Sequence, residues 1–150
     1  MSESHGDQGG RSEERGPMIS APSGGVPGAR SEYSIEYRPL VGALEKLDVQ
    51  GVIDGTSDSW FNQTLCEVDG TAVRLGVLQG EFHWHKHDRQ DEFFLVLDGS
   101  MRIELEGKAT VELGPRQAFI VPKGLLHRPV VPERTVVLML ERAGVVATGD

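Results

Sequence analysis

Apolar and polar residues alternate with a period of two along most of the chain from Val49 onward. Successive side chains of a strand point to opposite faces, so this alternation marks strands with one buried face. Trp60 to Val68 and Thr71 to Leu78 read as two such strands, joined at Asp69-Gly70, a strong hairpin signal. Phe82 to His87 reads as a third. Glu92 to Leu97 and Ser100 to Leu105 flank a second turn at Asp98-Gly99, and Thr110 to Leu113, Ala118 to Val121 and Thr135 to Glu141 complete the series. One segment departs from this pattern. After Arg38-Pro39, residues Leu40, Ala43, Leu44 and Leu47 recur at helical spacing, and proline suits a first helical position. A short N-terminal helix over Leu40 to Leu47, packed on the outside of a sheet, is expected there. Short strands with regular Gly or Pro punctuation and almost no helix predict an all-β sandwich or barrel.

Composition divides the chain. Met1 to Arg30 is rich in Gly, Ser, Pro and charge and holds few large apolar residues, so it buries too little surface to offset the entropy of ordering. Residues 1–30 are read as a disordered leader and residues 31–150 as a single domain. The leader lacks the apolar run of a secretory signal, and its arginines are mixed with acids, unlike a transit peptide. The net charge of −8 offers no basic surface to nucleic acid. No apolar stretch approaches the roughly 20 residues of a membrane span. The one cysteine, Cys66, excludes an internal disulfide, reads as a small core or interface residue, and fits a reducing cytoplasm.

The densest chemistry lies between Gly80 and Glu92. His83, His85 and His87 alternate along one expected strand and share a face. Buried imidazoles need partners for their ring nitrogens, so three on one face make poor core filler. Glu92 opens the next strand after a tight turn and can return to the same end of the sheet. A divalent ion would satisfy these groups together. A second segment, Pro122-x-Gly124-x-x-His127, reads as turn then histidine. By parity Phe94 and Val96 line the pocket with Glu92, whereas Phe82 and Trp84 face away, toward the core or a partner chain. On the next strand either Met101 and Ile103 or Arg102 and Glu104 face inward. Arg128 reads as a solvated arginine, or else as an anion contact at the mouth. His5, in the leader, carries no role.

These two segments resemble the two motifs of the cupin superfamily. The first stands here as His85-x-His87, four residues, Glu92, six residues, Gly99; the second stands as Pro122-x-Gly124-x-x-His127. The resemblance runs from about Trp60 to Asp150 and is nearest to the small single-domain cupins, whose ending the stretch Glu141 to Asp150 is similar to. It implies a jelly-roll-like antiparallel β-barrel of six to eight strands. It also implies one divalent metal ion, Fe(II), Mn(II), Ni(II) or Zn(II), held inside the barrel by His85, His87, Glu92 and His127. His83 shares the inward face but lies deeper, and is expected to be a buried, hydrogen-bonded neighbour of the ligands or an acid–base group. The chain departs from the pattern in three places. The first glycine lies one residue closer to the histidine pair, Arg116 stands where the second motif usually has Gly, and Val131 stands where its fuller form has Asn.

A site of three nitrogens and one oxygen leaves open positions on an octahedral ion. The leading expectation is a small metalloenzyme, such as an Fe(II) dioxygenase acting on a chelating enol, diketone or phenol, with Glu92 and His83 as its catalytic groups. Two alternatives stand beside it. One is non-redox isomerase, lyase or polyketide cyclase chemistry at the same metal. The other is a module that binds or senses a small ligand without turnover. A homodimer is expected, because outer strands carry Phe82, Trp84 and Phe93 and small cupins commonly pair through sheet faces.

Overall fold

The computed structural model describes residues 32–150, so the expected leader lies outside the described residues. The chain runs β1 (Ser34–Glu36), α1 (Val49–Asp54), β2 (Trp60–Val68), β3 (Thr71–Glu81), β4 (Glu92–Asp98), β5 (Met101–Leu105), β6 (Val111–Leu113), β7 (Ala118–Val121) and β8 (His127–Arg142). The eight strands form one sheet, in the order β1-β2-β3-β8-β4-β7, with β5 pairing β6 and β8. Among the described residues only β1 and β2 pair in parallel. The fold is all-β, a jelly-roll-like antiparallel barrel with one short helix. Asp69 and Gly70, with φ of 46° and 76°, make the tight turn that joins β2 to β3, as the sequence predicts.

The long strand β8 organises the barrel. One edge pairs with β3, and the other pairs first with β5 and then with β4. Its first half is hard to read in the sequence, because Pro129, Pro132, Glu133 and Arg134 interrupt the apolar pattern. Side chains of β3 alternate as the pleat demands. Leu78 enters the inner core with Phe94, Val96, Met101, Ile103, Val137 and Met139. Leu75 and Val77 enter an outer cluster with Leu65 and Val136, covered by Val49, Val52 and Ile53. Met101, Ile103 and Leu105 are therefore the inward set of β5, and Arg102 is exposed. Cys66 is half-buried against the outer cluster.

Three expectations need correction. The helix lies at Val49–Asp54, not at Leu40 to Leu47. The backbone N–H groups of Leu40 and Val41 donate to the Leu65 carbonyl of β2, and Leu44 is fully exposed at a φ of 64°, so that segment cannot coil. Asp48, which accepts from the Gln50 N–H at 3.1 Å, starts the helix instead. Second, Phe82 to His87 is not a strand. Gly80, at a φ of 116°, and a register shift between Leu78 and Gly80 end the regular pleat, leaving a single antiparallel pair, His85 with His127. Third, that break turns Phe82 inward. It is buried against Trp60 and the His85 ring rather than facing away. Trp84 is exposed as expected. Among the described residues no helix is long and apolar enough to cross a membrane.

Candidate metal centre

Local backbone geometry gathers the four expected residues at one end of the barrel. The paired amides of His85 and His127, at 3.0 and 2.9 Å, bring both rings to the inner face. Glu92 opens β4 opposite Val121, the last residue before the Pro122-Lys123-Gly124 turn. That turn is tied back by the Gly124 N–H, which donates to the His87 carbonyl at 2.8 Å. All four side chains are buried. Glu92 Oε2 is the hub: His127 Nε2 lies 3.1 Å from it, His87 Nε2 3.5 Å and His85 Nε2 4.0 Å.

The ring orientations are set from behind. His85 Nδ1 donates to the His83 carbonyl at 3.1 Å, and His127 Nδ1 donates to the Leu125 carbonyl at 2.9 Å. With those protons spent, the Nε2 atoms turn lone pairs toward the carboxylate. Three such nitrogens around one carboxylate oxygen repel it unless a proton or a metal ion lies between them, and donor atoms of this kind fit a divalent ion. Neither ring nitrogen of His87 makes a hydrogen bond, although the ring is buried. Burial and the neighbouring His127 push the His85 pKa down to about 4, so this ring is neutral at neutral pH. Burial opposes the charge on Glu92, but the imidazoles of His127 and His87 beside it outweigh it and hold the carboxyl at about 2. Burial likewise opposes a charge on His87, and the Glu92 carboxylate more than offsets it, raising that pKa.

The grouping is finer than the sequence reading. His85, Glu92 and His127 offer donor atoms within 4.8 Å of one another, and a second set, His87, Glu92 and Glu141, does the same. Glu141 was not among the expected residues, nor was its partner Arg74. Arg74 Nε lies 3.2 Å from Glu141 Oε1, and the guanidinium donates to Asn62 Oδ1 at 2.7 Å and Thr64 Oγ1 at 2.9 Å. A signal was present. Glu141 has the parity of the inward Val137 and Met139, and Arg74 that of Leu78. A charge on the inner face of an apolar strand marks a buried polar site.

Known proteins share this architecture. The family model of the cupin domain matches residues 71–141. The Bacillus subtilis protein YdbB is 40% identical over 80 residues, which is 53% of this chain and 71% of the relative. The chain belongs to the cupin family. Solved cupin structures share its fold. A cupin-2 domain protein from Shewanella frigidimarina superposes with a TM-score of 0.60 at 24% identity, covering 64% of this chain and 93% of that one. Hydroquinone 1,2-dioxygenase from Sphingomonas sp. TTNP3 also superposes with a TM-score of 0.60, at 17% identity, covering 67% of this chain and 32% of that one.

The interior of this cupin is narrow beside His85 and Glu92. The cavity there holds about 20 Å³ and is walled by Trp60, Phe82, Phe94, Met139 and Ala147. Phe94 lines it as expected, and Val96 lies in the inner core. The last residues strap across this end. Ala147 is buried, and its N–H donates to the Tyr37 hydroxyl at 3.2 Å. Gly149 lies so close to His85 that a Cβ would sit 2.7 Å from the histidine's own Cβ. The Asp150 N–H donates to the Lys86 carbonyl, and Asp150 Oδ2 accepts from the Asp88 N–H at 2.6 Å.

His83 belongs to this strap rather than to the buried cluster. Its side chain is exposed, Nε2 donates to the Thr148 carbonyl at 2.7 Å, and Nδ1 lies 3.4 Å from the Tyr33 hydroxyl. The expectation of a buried place on the ligand face fails, because the chain past Glu81 is not a regular strand: Phe82 takes the inward place and only His85 pairs with His127. Arg128 is a surface arginine with partners. It donates to Glu104 at 2.6 Å and Glu81 at 3.2 Å, and its guanidinium lies over the Trp84 ring.

Proposed function

We propose that this cupin is a metal-dependent enzyme of the dioxygenase type acting on a small chelating enol, diketone or phenol, with His85, His87, Glu92 and His127 as the metal ligands. The observation that carries this reading is the convergence of three imidazole Nε2 atoms on one buried carboxylate oxygen, at 3.1, 3.5 and 4.0 Å. A divalent ion held there supplies Lewis acidity and, as Fe(II), one-electron chemistry toward dioxygen. The backbone carbonyls behind His85 and His127 keep their donor atoms aimed. Held at about 2, Glu92 suits a permanent anionic ligand better than a base that takes up a proton at neutral pH. Trp60, Phe82 and Phe94 wall the small cavity beside His85 and Glu92 and would keep bulk water from that side of the ion. The hydroquinone dioxygenase among the structural neighbours supports the reaction class through the fold, without assigning the substrate.

The test is oxygen uptake by Fe(II)-loaded protein with catechols, hydroquinones and 1,3-diketones, run beside anaerobic controls. Uptake that His127→Ala abolishes supports the proposal. Turnover without oxygen would move the protein to isomerase or lyase chemistry, and tight binding without turnover to a sensing role.

A further inference from the structure

Among the described residues, four buried side-chain nitrogen or oxygen atoms lack a hydrogen-bond partner: Nδ1 and Nε2 of His87, Oε2 of Glu141 and Nη2 of Arg74. All of them belong to one place, where a carboxylate oxygen of Glu141 lies within 4.8 Å of donor atoms of both His87 and Glu92. Buried polar atoms without partners are costly, and a buried carboxylate oxygen more so than a neutral group. Such a cluster of orphans marks a position that something polar fills.

We propose that Glu141 is a further ligand of the metal centre, a second carboxylate added to the divalent-cation set on the side of His87 and Glu92 and held there by Arg74. This rests on the metal-binding reading above and extends it. The simpler account is that Glu141 exists only to neutralise Arg74. The geometry argues otherwise. Glu141 meets Arg74 at Oε1, 3.2 Å away, while its Oε2 is buried with no hydrogen-bond partner, so neutralising Arg74 accounts for only part of the carboxylate. Arg74 is meanwhile anchored by Asn62 and Thr64, which leaves Glu141 Oε2 free to point elsewhere. Charge agrees. A dication beside Glu92 alone leaves one positive charge unmatched, with buried Arg74 adding a second nearby; Glu141 lowers that excess by one. Donor atoms on one ion lie at most roughly 4.4 Å apart, twice the longest such bond. Each of the two sets, His85 with Glu92 and His127 and His87 with Glu92 and Glu141, lies within 4.8 Å, and Glu92, common to both, is the point at which one ion would join them.

The full chain, stripped of metal, would be titrated with Zn(II) against a chromophoric chelator, and with Co(II) while its visible spectrum is recorded. Glu141→Gln keeps the shape and removes the charge. It is expected to weaken Zn(II) binding by about tenfold or more and to shift the Co(II) bands. Unchanged affinity and spectrum in a folded Glu141→Gln protein would overturn the proposal. His127→Ala is the control: if it weakens zinc binding and Glu141→Gln does not, this inference alone falls, and if neither does, the metal reading falls with it. Should Glu141→Gln not fold, the crystal structure of zinc-loaded wild-type protein decides. A Glu141 oxygen at roughly 2.0–2.2 Å from the ion supports the assignment. A water filling the gap, with Glu141 off the ion, refutes it.

Discussion

At the scale of single residues, the candidate ligands were legible and their environment was not. His85, His87, Glu92 and His127 stand at spacings that survive translation into backbone geometry, because each sits beside a turn or in a backbone contact between the two motifs. Glu141 and Arg74 escaped notice because each lies inside an apolar strand, where a sequence reading assigns a charge to the solvent face. The four candidate ligands are expected to act as one unit. His87→Ala or His127→Ala should lower metal affinity by at least tenfold, and Glu92→Gln should weaken it while keeping the fold, as measured by isothermal titration with Zn(II). His83→Ala should leave that affinity unchanged, since its ring nitrogens are turned to Thr148 and Tyr33. Arg116 offers a separate check. It holds a φ of 65° at the place where the family motif carries Gly. Non-glycine residues there carry roughly 1–2 kcal/mol of strain, partly offset by the entropy a glycine loses on folding. Arg116→Gly should therefore raise stability by about 0.5–1 kcal/mol, read as a higher urea midpoint at constant slope.

At the scale of elements, periodicity located β2, β3, β4, β5, β6 and β7 to within a few residues. It failed where tertiary hydrogen bonds override local preference. The segment Leu40 to Leu47 has helical spacing, yet its first amides are taken by β2. The segment Phe82 to His87 has strand spacing, yet Gly80 breaks its pleat. β1 is too short to leave a pattern at all. Nor did the sequence disclose that residues 147–150 close the end of the barrel, because that depends on contacts with Tyr37, His83, Lys86 and Asp88, all distant in the chain. This strap has a measurable role. Removing residues 145–150 takes away few core contacts, so the far-UV circular dichroism should be retained, but it uncovers the cavity beside His85. Zinc should then be extracted by a chelator several-fold faster than from the full chain. Equal extraction rates would mean that the metal leaves by another route.

At the scale of the whole molecule, the fold class was legible because strands, turns and two metal-ligand motifs agreed. The arrangement of charge in the interior was not, since it depends on how β3, β4 and β8 converge. A pair of chains is the expected solution state. Phe93 aligns with Ile120 and Leu140 on the outward face of β4, β7 and β8, and a mass of one chain, 16.4 kDa, in sedimentation at micromolar concentration would exclude it. The buried charges make a sharper prediction for the metal-free protein. Burial and His127 lower His85 from 6.5 to about 4. As pH falls through that interval the unfolded chain takes up a proton and the folded chain does not, so this group removes stability on acidification. Glu141 acts in the opposite sense. Burial, reinforced by Glu92, raises it from 4.5 to about 7. Over that interval the folded chain holds a proton the unfolded chain has released, so its contribution is present below 4.5 and lost as pH rises toward 7. His87, raised above 6.5 by Glu92, acts in the same sense only above that value and is level below it. The contributions offset between about pH 6.5 and 4.5. Glu92 is then unopposed: its carboxyl, held at about 2 against 4.5 unfolded, gives up its stabilisation as pH falls below 4.5. Urea midpoints of chelator-treated protein should therefore stay nearly level from pH 6.5 to 4.5 and drop steeply below. In Glu141→Gln the main offsetting group is gone, and the decline should begin near pH 6.5, where His85 starts to charge in the unfolded chain. A wild-type midpoint that falls steadily across the whole range, with no difference in the variant, would show that Glu141 does not offset His85.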